Sequence, residues 1–235
     1  DEEIGRGADE FDVDGFAADY AYTVDGGELG GVEYETFNAA AATVTVKGLS
    51  IHPGAAKNKL INASQVAMEF HAMLPVHERP ESTEGYEGFS MLRDIHSDIE
   101  QAVMNYIIRD HDDEKFEQKK DRFYQIAVYL DSIYGDGTVE VEMKDSYYNM
   151  RRQIEPVMYI VDRAKAAMER LGITPYSVPV RGGTDGARLS YMGLPCPNLC
   201  TGGMNFHGRY EYAVVEEMES CARILVEILT APELG

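Results

Sequence analysis

The sequence predicts an α/β chain in which a ferredoxin-like βαββαβ module interrupts a second α/β layer. Three observations predict it. Between residues 40 and 146, strand and helix patterns follow in the order β-α-β-β-α-β, the split βαβ arrangement. On either side, at 1–39 and 147–235, strands and helices alternate as in layers built on a largely parallel sheet. Glycine-rich turns at Gly26-Gly27, Gly182-Gly183 and Gly202-Gly203 fall at strand ends, where such sheets place ligands.

Taken in order, residues 11–18 form a short helical pattern with Asp12 or Asp14 as its cap. Asp12-Val13-Asp14-Gly15 begins like a calcium loop, but the later ligands are missing, so capping is the expectation. Residues 21–24 read as a strand delivering Asp25 into its glycine turn, and 32–37 alternate as a second strand. Inside the module, 43–47 is a β-branched strand ended by Gly48. Residues 62–74 carry Val66, Phe70, Met73 and Leu74 at helical spacing. Strands at 88–95 and 101–109 follow. A long helix is predicted over 112–134, with Phe116, Phe123, Ile126, Ala127, Leu130 and Ile133 on one stripe. Lys119, Lys120 and Asp121 belong to its charged face, and Gly135 stands where a C-terminal cap belongs. Val139, Val141 and Met143 alternate with charges in the module's last strand. Beyond it, helices are expected at 156–171, 184–192 and 215–229, and strands at 175–180 and 198–200.

The bulk composition narrows the function classes. Twenty-one basic residues against 41 acidic ones give a net charge of −20, which argues against binding a phosphate backbone. An acidic cleft holding cations is compatible with it. No apolar run reaches membrane-span length. Cys196, Cys200 and Cys221 are odd in number and form no C-x-x-C pair, which predicts reduced, packed thiols and a cytoplasmic setting. The chain starts inside a motif without an initiator Met and is expected to be part of a longer protein.

No G-x-G-x-x-G, G-x-x-x-x-G-K-[ST], H-E-x-x-H or G-x-S-x-G occurs, so those mechanisms lose their support. What remains is carboxylates, histidines and arginines on glycine-flanked loops. Glu3, Asp25 and His207 are donors of the kind that zinc, cobalt or manganese accept; three unrelated turn residues are the plain alternative. Glu2, beside Glu3, is the candidate general base for a metal-bound water, or simply an exposed neighbour of a ligand. Arg109 and Arg181 are candidates to dock a substrate carboxylate, with surface ion pairing as the alternative. His52, before Pro53-Gly54, either polarises a substrate carbonyl or serves its turn. His71 and His77 are expected at the surface, and His96 in a structural role.

Seven stretches in this order carry a resemblance to a known family. They are Asp1-Glu2-Glu3-Ile4-Gly5-Arg6-Gly7, Tyr22-Thr23-Val24-Asp25-Gly26-Gly27, His52-Pro53-Gly54, Ile108-Arg109-Asp110-His111-Asp112, Tyr148-Asn149-Met150-Arg151, Arg181-Gly182-Gly183-Thr184-Asp185-Gly186 and Asn205-Phe206-His207-Gly208-Arg209. The chain resembles, over essentially its whole length, the tripeptide aminopeptidases of the co-catalytic zinc peptidase family. Carboxypeptidase G2-like and aminoacylase enzymes belong to the same family. The resemblance implies an α/β zinc-peptidase catalytic domain in two parts, 1–39 and 147–235, with 40–146 as a lid and dimerisation domain. It implies Glu2 as catalytic base, Glu3 and His207 on one zinc, and Asp25 on the other. It places His52, Arg109, Asn149 and Arg181 against the backbone and C-terminal carboxylate of a short peptide.

Family members supply a histidine, an orienting aspartate and a bridging aspartate from a segment before the glutamate pair. That segment is not in this sequence. The isolated chain is therefore expected to bind zinc poorly and to be inactive, its sheet lacking strands and exposing an apolar edge. The runner-up within the same chemistry is a dipeptidase or an N-acyl amino acid hydrolase. A non-catalytic fragment that self-associates through residues 40–146 is the rival from another class, and an acidic calcium-binding module ranks last.

Overall fold

The computed structural model describes residues 7–231, so Glu2 and Glu3 lie outside the described residues. The first half of the chain contains α1 (Val13–Phe16), β1 (Thr23–Val24), β2 (Val32–Glu33), β3 (Asn38–Lys47), α2 (Ala63–Met73), β4 (Phe89–Ser97) and β5 (Gln101–Asp110). Next come α3 (Asp113–Tyr134), β6 (Val139–Tyr147), α4 (Arg151–Ile154), α5 (Tyr159–Arg170) and α6 (Asp185–Tyr191). Then follow β7 (Asn198–Leu199), β8 (Gly203–Met204), β9 (Tyr212–Ala213) and α7 (Val215–Thr230). The chain divides into two compact units, Asn38–Tyr147 and the two flanking segments taken together.

The inner unit is an antiparallel sheet in the order β4-β5-β3-β6, the ferredoxin-like arrangement expected from βαββαβ. Strand alternation decides which residues meet the helices. Along β5, Ala102, Met104, Tyr106 and Ile108 are buried while their neighbours are only partly covered. From the helices, Val66, Ala67 and Phe70 of α2 and Phe116, Phe123, Ile126 and Leu130 of α3 close the same core. Phe70, Tyr106 and Phe123 form an aromatic trio, with centroids 5.1 Å apart for Tyr106–Phe123 and 5.7 Å for Phe70–Phe123. Both helices begin on side-chain caps. Asn62 accepts from Ser64 N at 3.1 Å, and Asp112 accepts from Lys115 N at 2.9 Å. Gly135, at φ 115°, ends α3 in a conformation that a residue with a Cβ resists.

The flanking segments form a second core. α5, through Ile160, Val161, Ala164 and Met168, packs with Cys221, Ile224 and Ile228 of α7 and with Val32 and Leu199 of the sheet. Its strands are short and mixed rather than largely parallel: β1 pairs parallel with β7, and β2 pairs antiparallel on the other side. Asp12 caps α1 by accepting from Gly15 N at 2.9 Å, as expected. All three cysteines are buried, free thiols. Burial pushes Cys196 up to about 11 and Cys221 up to about 12, the latter also through the neighbouring Cys200, so neither is a ready thiolate.

Several expectations need correction. β3 starts at Asn38, five residues before the β-branched run, because the alanines at 39–42 are paired on both sides by β5 and β6. Tertiary pairing overrides their weak strand preference. Residues 175–180 form only isolated bridges at Tyr176 and Val180, since Pro175 and Pro179 have no amide to donate. Lys119 is buried rather than on the solvated face of α3. His71 is half-buried against Tyr106, whereas His96 is exposed. Among the described residues, no helix is long and apolar enough to cross a membrane.

Candidate functional site

Two loops of the outer unit leave the same end of the β1–β7 parallel pair. β1 delivers Asp25, and β7 delivers the loop that enters the β8–β9 hairpin. Backbone hydrogen bonds lace them together. Gly26 N donates to Leu199 O at 2.8 Å, and the amides of Thr201 and Gly202 both donate to Gly27 O at 3.1 Å. Thr201 Oγ1 donates to Gly26 O at 2.7 Å. Position 26 requires glycine, because a Cβ there would stand 2.9 Å from Leu199 O. The carboxyl ends of neighbouring parallel strands are where α/β sheets gather ligand groups.

His207 sits in the hairpin turn, exposed, at φ 59°, and Asn205 is at φ 58°. Two non-glycine residues in the left-handed region so close together cost on the order of 1 kcal/mol or more each. The turn is held by Glu211, which accepts from His207 N at 2.9 Å, and by Asn205 Nδ2, which donates to Tyr210 O at 3.2 Å. Asp25 is also exposed, and the glycines after it bond to the segment that leads into the hairpin.

Sequence reasoning missed Glu33. In the sequence this residue reads as the polar partner in an alternating strand. The structure half-buries it beside Asp25, with Asn198 Nδ2 donating to it at 3.3 Å. Burial raises its carboxyl above the usual range and Asp25's charge adds to this, while the bonds from Asn198 and Gly27 pull the other way. No period in the sequence carries that signal, because the small sheet that buries it is assembled from β2 and the distant β7.

Asn149 and Arg181 belong to the same unit. Asn149 is 4% exposed, and its Oδ1 accepts from Thr36 N and Arg151 N, both at 3.0 Å. Tyr191 Oη donates to Asn149 O at 2.9 Å, so this residue is a structural joint as well as a candidate for binding. Arg181 lies with its guanidinium 5.1 Å from the Phe37 ring centre, and Phe37 N donates to Gly182 O at 3.3 Å.

His52 and Arg109 belong to the inner unit. His52 Nδ1 accepts from Gly54 N at 3.1 Å, which leaves Nε2 to carry the proton of the neutral ring. Arg109 Nη1 donates to Ile108 O at 2.8 Å and Ala40 O at 3.2 Å, and the guanidinium stacks 5.4 Å from the Tyr147 ring centre. Burial raises the Tyr147 phenol, offset in part by Arg109.

Among the described residues, no three His, Cys, Asp or Glu side chains are grouped so that they could hold a metal ion. Asp25 and His207 alone do not fit a dinuclear centre, which needs several protein ligands for each ion.

A family profile described as the peptidase dimerisation domain of M20 peptidases matches residues 34–135. Peptidase T of Alkaliphilus oremlandii is 54% identical over 229 residues, 97% of this chain. The chain is thus similar to M20 peptidases, through a dimerisation domain over residues 34–135 and through a peptidase T over nearly its whole length. It spans 56% of the length of that relative. Among solved structures, aminopeptidase PepT of Bacillus cereus superposes with a TM-score of 0.82 at 23% identity, covering 97% of this chain and 61% of that one. A tripeptidase of Staphylococcus aureus also gives 0.82, at 19% identity, with the same two coverages, 97% and 61%. At these identities the two structures establish the fold alone.

Proposed function

We propose that this chain supplies the greater part of a metallo-aminopeptidase that releases the N-terminal residue of tripeptides. The observation that carries this reading is the 54% identity to a peptidase T over 97% of the chain. In it, Glu2 would be the proton-transferring carboxylate, Glu3 and His207 would hold one zinc and Asp25 the other, with further ligands from the part of the relative that this chain does not span. When bound, such ions would activate water and stabilise developing negative charge. His52, with its proton on Nε2, donates to a substrate carbonyl. Arg109, Asn149 and Arg181 receive the peptide backbone and C-terminal carboxylate; the stacking of both arginines on aromatic rings holds their forks in place. The half-buried Glu33 adds a second carboxylate beside Asp25. The free thiols suit a reducing, cytoplasmic setting.

The test joins this chain to the part of the Alkaliphilus oremlandii peptidase T that it does not span. The chimera is expected to cleave tripeptides and to prefer them over N-acyl amino acids. Glu2→Gln should lower its kcat by about 10²–10⁴-fold, the usual worth of a positioned proton carrier. The chain alone should bind less than one zinc and show no turnover. Preference of the chimera for acyl-amino acids, or indifference to Glu2→Gln, would reject the reading.

Within the same proposal, the inner unit joins two copies of the chain. The outer side of α3 exposes Val128 at 71%, Tyr129 at 54% and Ile133 at 54%, an apolar stripe that a monomer has no use for. Light scattering should give twice the chain mass, and Val128→Glu should return it to one. A monomeric parent protein would exclude this pairing.

A further inference from the structure

A cavity of about 160 Å³ opens on the inner unit, where α2 ends, the 3-10 turn Pro80–Ser82 passes and β4 begins. Its lining includes His71, Arg79, Glu81, Ser90, Met91 and Leu92, and none of these belongs to the candidate site above. The proton positions at its inner end follow from the contacts. Arg79 Nη2 can only donate, so His71 Nε2, 3.3 Å away, accepts. The neutral ring then carries its proton on Nδ1 and donates to Tyr106 Oη at 3.1 Å, and that hydroxyl donates to Met104 Sδ at 3.4 Å. Burial and the Arg79 charge both push His71 toward this neutral form. The guanidinium is thus held in place from inside the core.

Among the described residues, Arg79 makes no ion pair, although the chain holds 41 acidic residues to 21 basic ones. Its neighbours show the contrast: Arg122 and Lys119 are both engaged by Glu78, at 2.7 and 3.1 Å. A half-buried fork of donors with an uncompensated charge suits a carboxylate. Exposed Glu81 lines the same cavity, which disfavours a bare oxyanion and favours a ligand that also carries an ammonium group. Met91 and Leu92 add partly covered apolar surface. A cavity of comparable size takes a molecule about as bulky as benzene, so there is room for one small residue and not for a peptide.

We propose that this cavity binds a free, small, apolar α-amino acid, with its carboxylate on Arg79, its ammonium on Glu81 and its side chain on Met91 and Leu92. The assignment concerns the inner unit alone and does not depend on the proposed peptidase chemistry.

The experiment is an NMR titration of the purified chain at pH 7.5 with L-alanine, read at the His71 imidazole and the amides of residues 79–92. Saturable shifts are expected. L-Alaninamide, which lacks the carboxylate, and inorganic phosphate, which lacks the ammonium, should each bind about tenfold more weakly, the loss of one good polar contact. Arg79→Gln should abolish the response. Glu81→Gln, at an exposed position, should weaken alanine while strengthening phosphate, with the melting temperature unchanged. No saturable shift, or phosphate binding as well as alanine with Glu81→Gln changing neither, would overturn the proposal.

Discussion

Phe123→Ala is expected to destabilise the inner unit by about 3–5 kcal/mol, the cost of removing a large aromatic ring from a packed core. Phe123 is fully buried on α3, where its ring meets Tyr106 edge-on at 5.1 Å and Phe70 at 5.7 Å. The rings come from α2, β5 and α3, so no single neighbour can collapse into the space. The cavity term therefore adds to the lost burial instead of being relieved. Urea unfolding, followed by the near-ultraviolet signal of the tyrosines, measures it through the shift in midpoint at constant slope. A loss below about 1 kcal/mol would mean that the trio repacks and is not the keystone of the inner unit's core.

Lys119→Met is expected to cost a comparable 3–5 kcal/mol near neutral pH, for an electrostatic reason. Lys119 Nζ lies 3.1 Å from Glu78 and 3.3 Å from Asp110, and Asp110 is 1% exposed. Methionine fills the volume but leaves Asp110 buried beside no cation and Glu78 with Arg122 alone. The pH dependence distinguishes this from lost packing. Burial works to raise Glu78, yet the hydrogen bonds and charges of Lys119 and Arg122 outweigh it, so its folded carboxyl titrates below the usual glutamate range. A depressed folded value contributes stability that is present above the unfolded value and is lost as the pH falls through the folded one. The parent protein therefore loses stability in acid, and the gap to Lys119→Met should narrow as the pH drops from 7 to 3. An equal gap at both pH values would show that the side chain acts through packing alone.

The α3 stripe shows what a local pattern can and cannot reveal. Phe116, Phe123, Ile126, Ala127 and Leu130 recur at helical spacing and are buried as that spacing requires, whereas Ile133, predicted on the same stripe, is exposed in the last turn of the helix. Lys119 lies on the same turns, and charge alone assigned it to solvent; Glu78 and Asp110, from a loop and from β5, bury it. The same contrast holds at the candidate site. Glycine beside Asp25 and His207 marked both loops, because only glycine tolerates the close approach of Gly26 to Leu199. Nothing local marked Glu33 or the Arg79–His71–Tyr106 chain, whose members touch through space and share no period.

The sequence by itself determined the βαββαβ order of the inner unit, the stripes of its two helices apart from Met73 and Ile133, the caps at Asp12 and Gly135, and the loops that carry Asp25 and His207. These rest on periodicity, capping and glycine geometry, which act over a few residues. Only the tertiary structure decided the antiparallel order β4-β5-β3-β6, the short mixed sheet of the outer unit, and which charges are buried. Those outcomes depend on pairings between segments far apart along the chain, where the energy lies in contact and desolvation rather than in local preference.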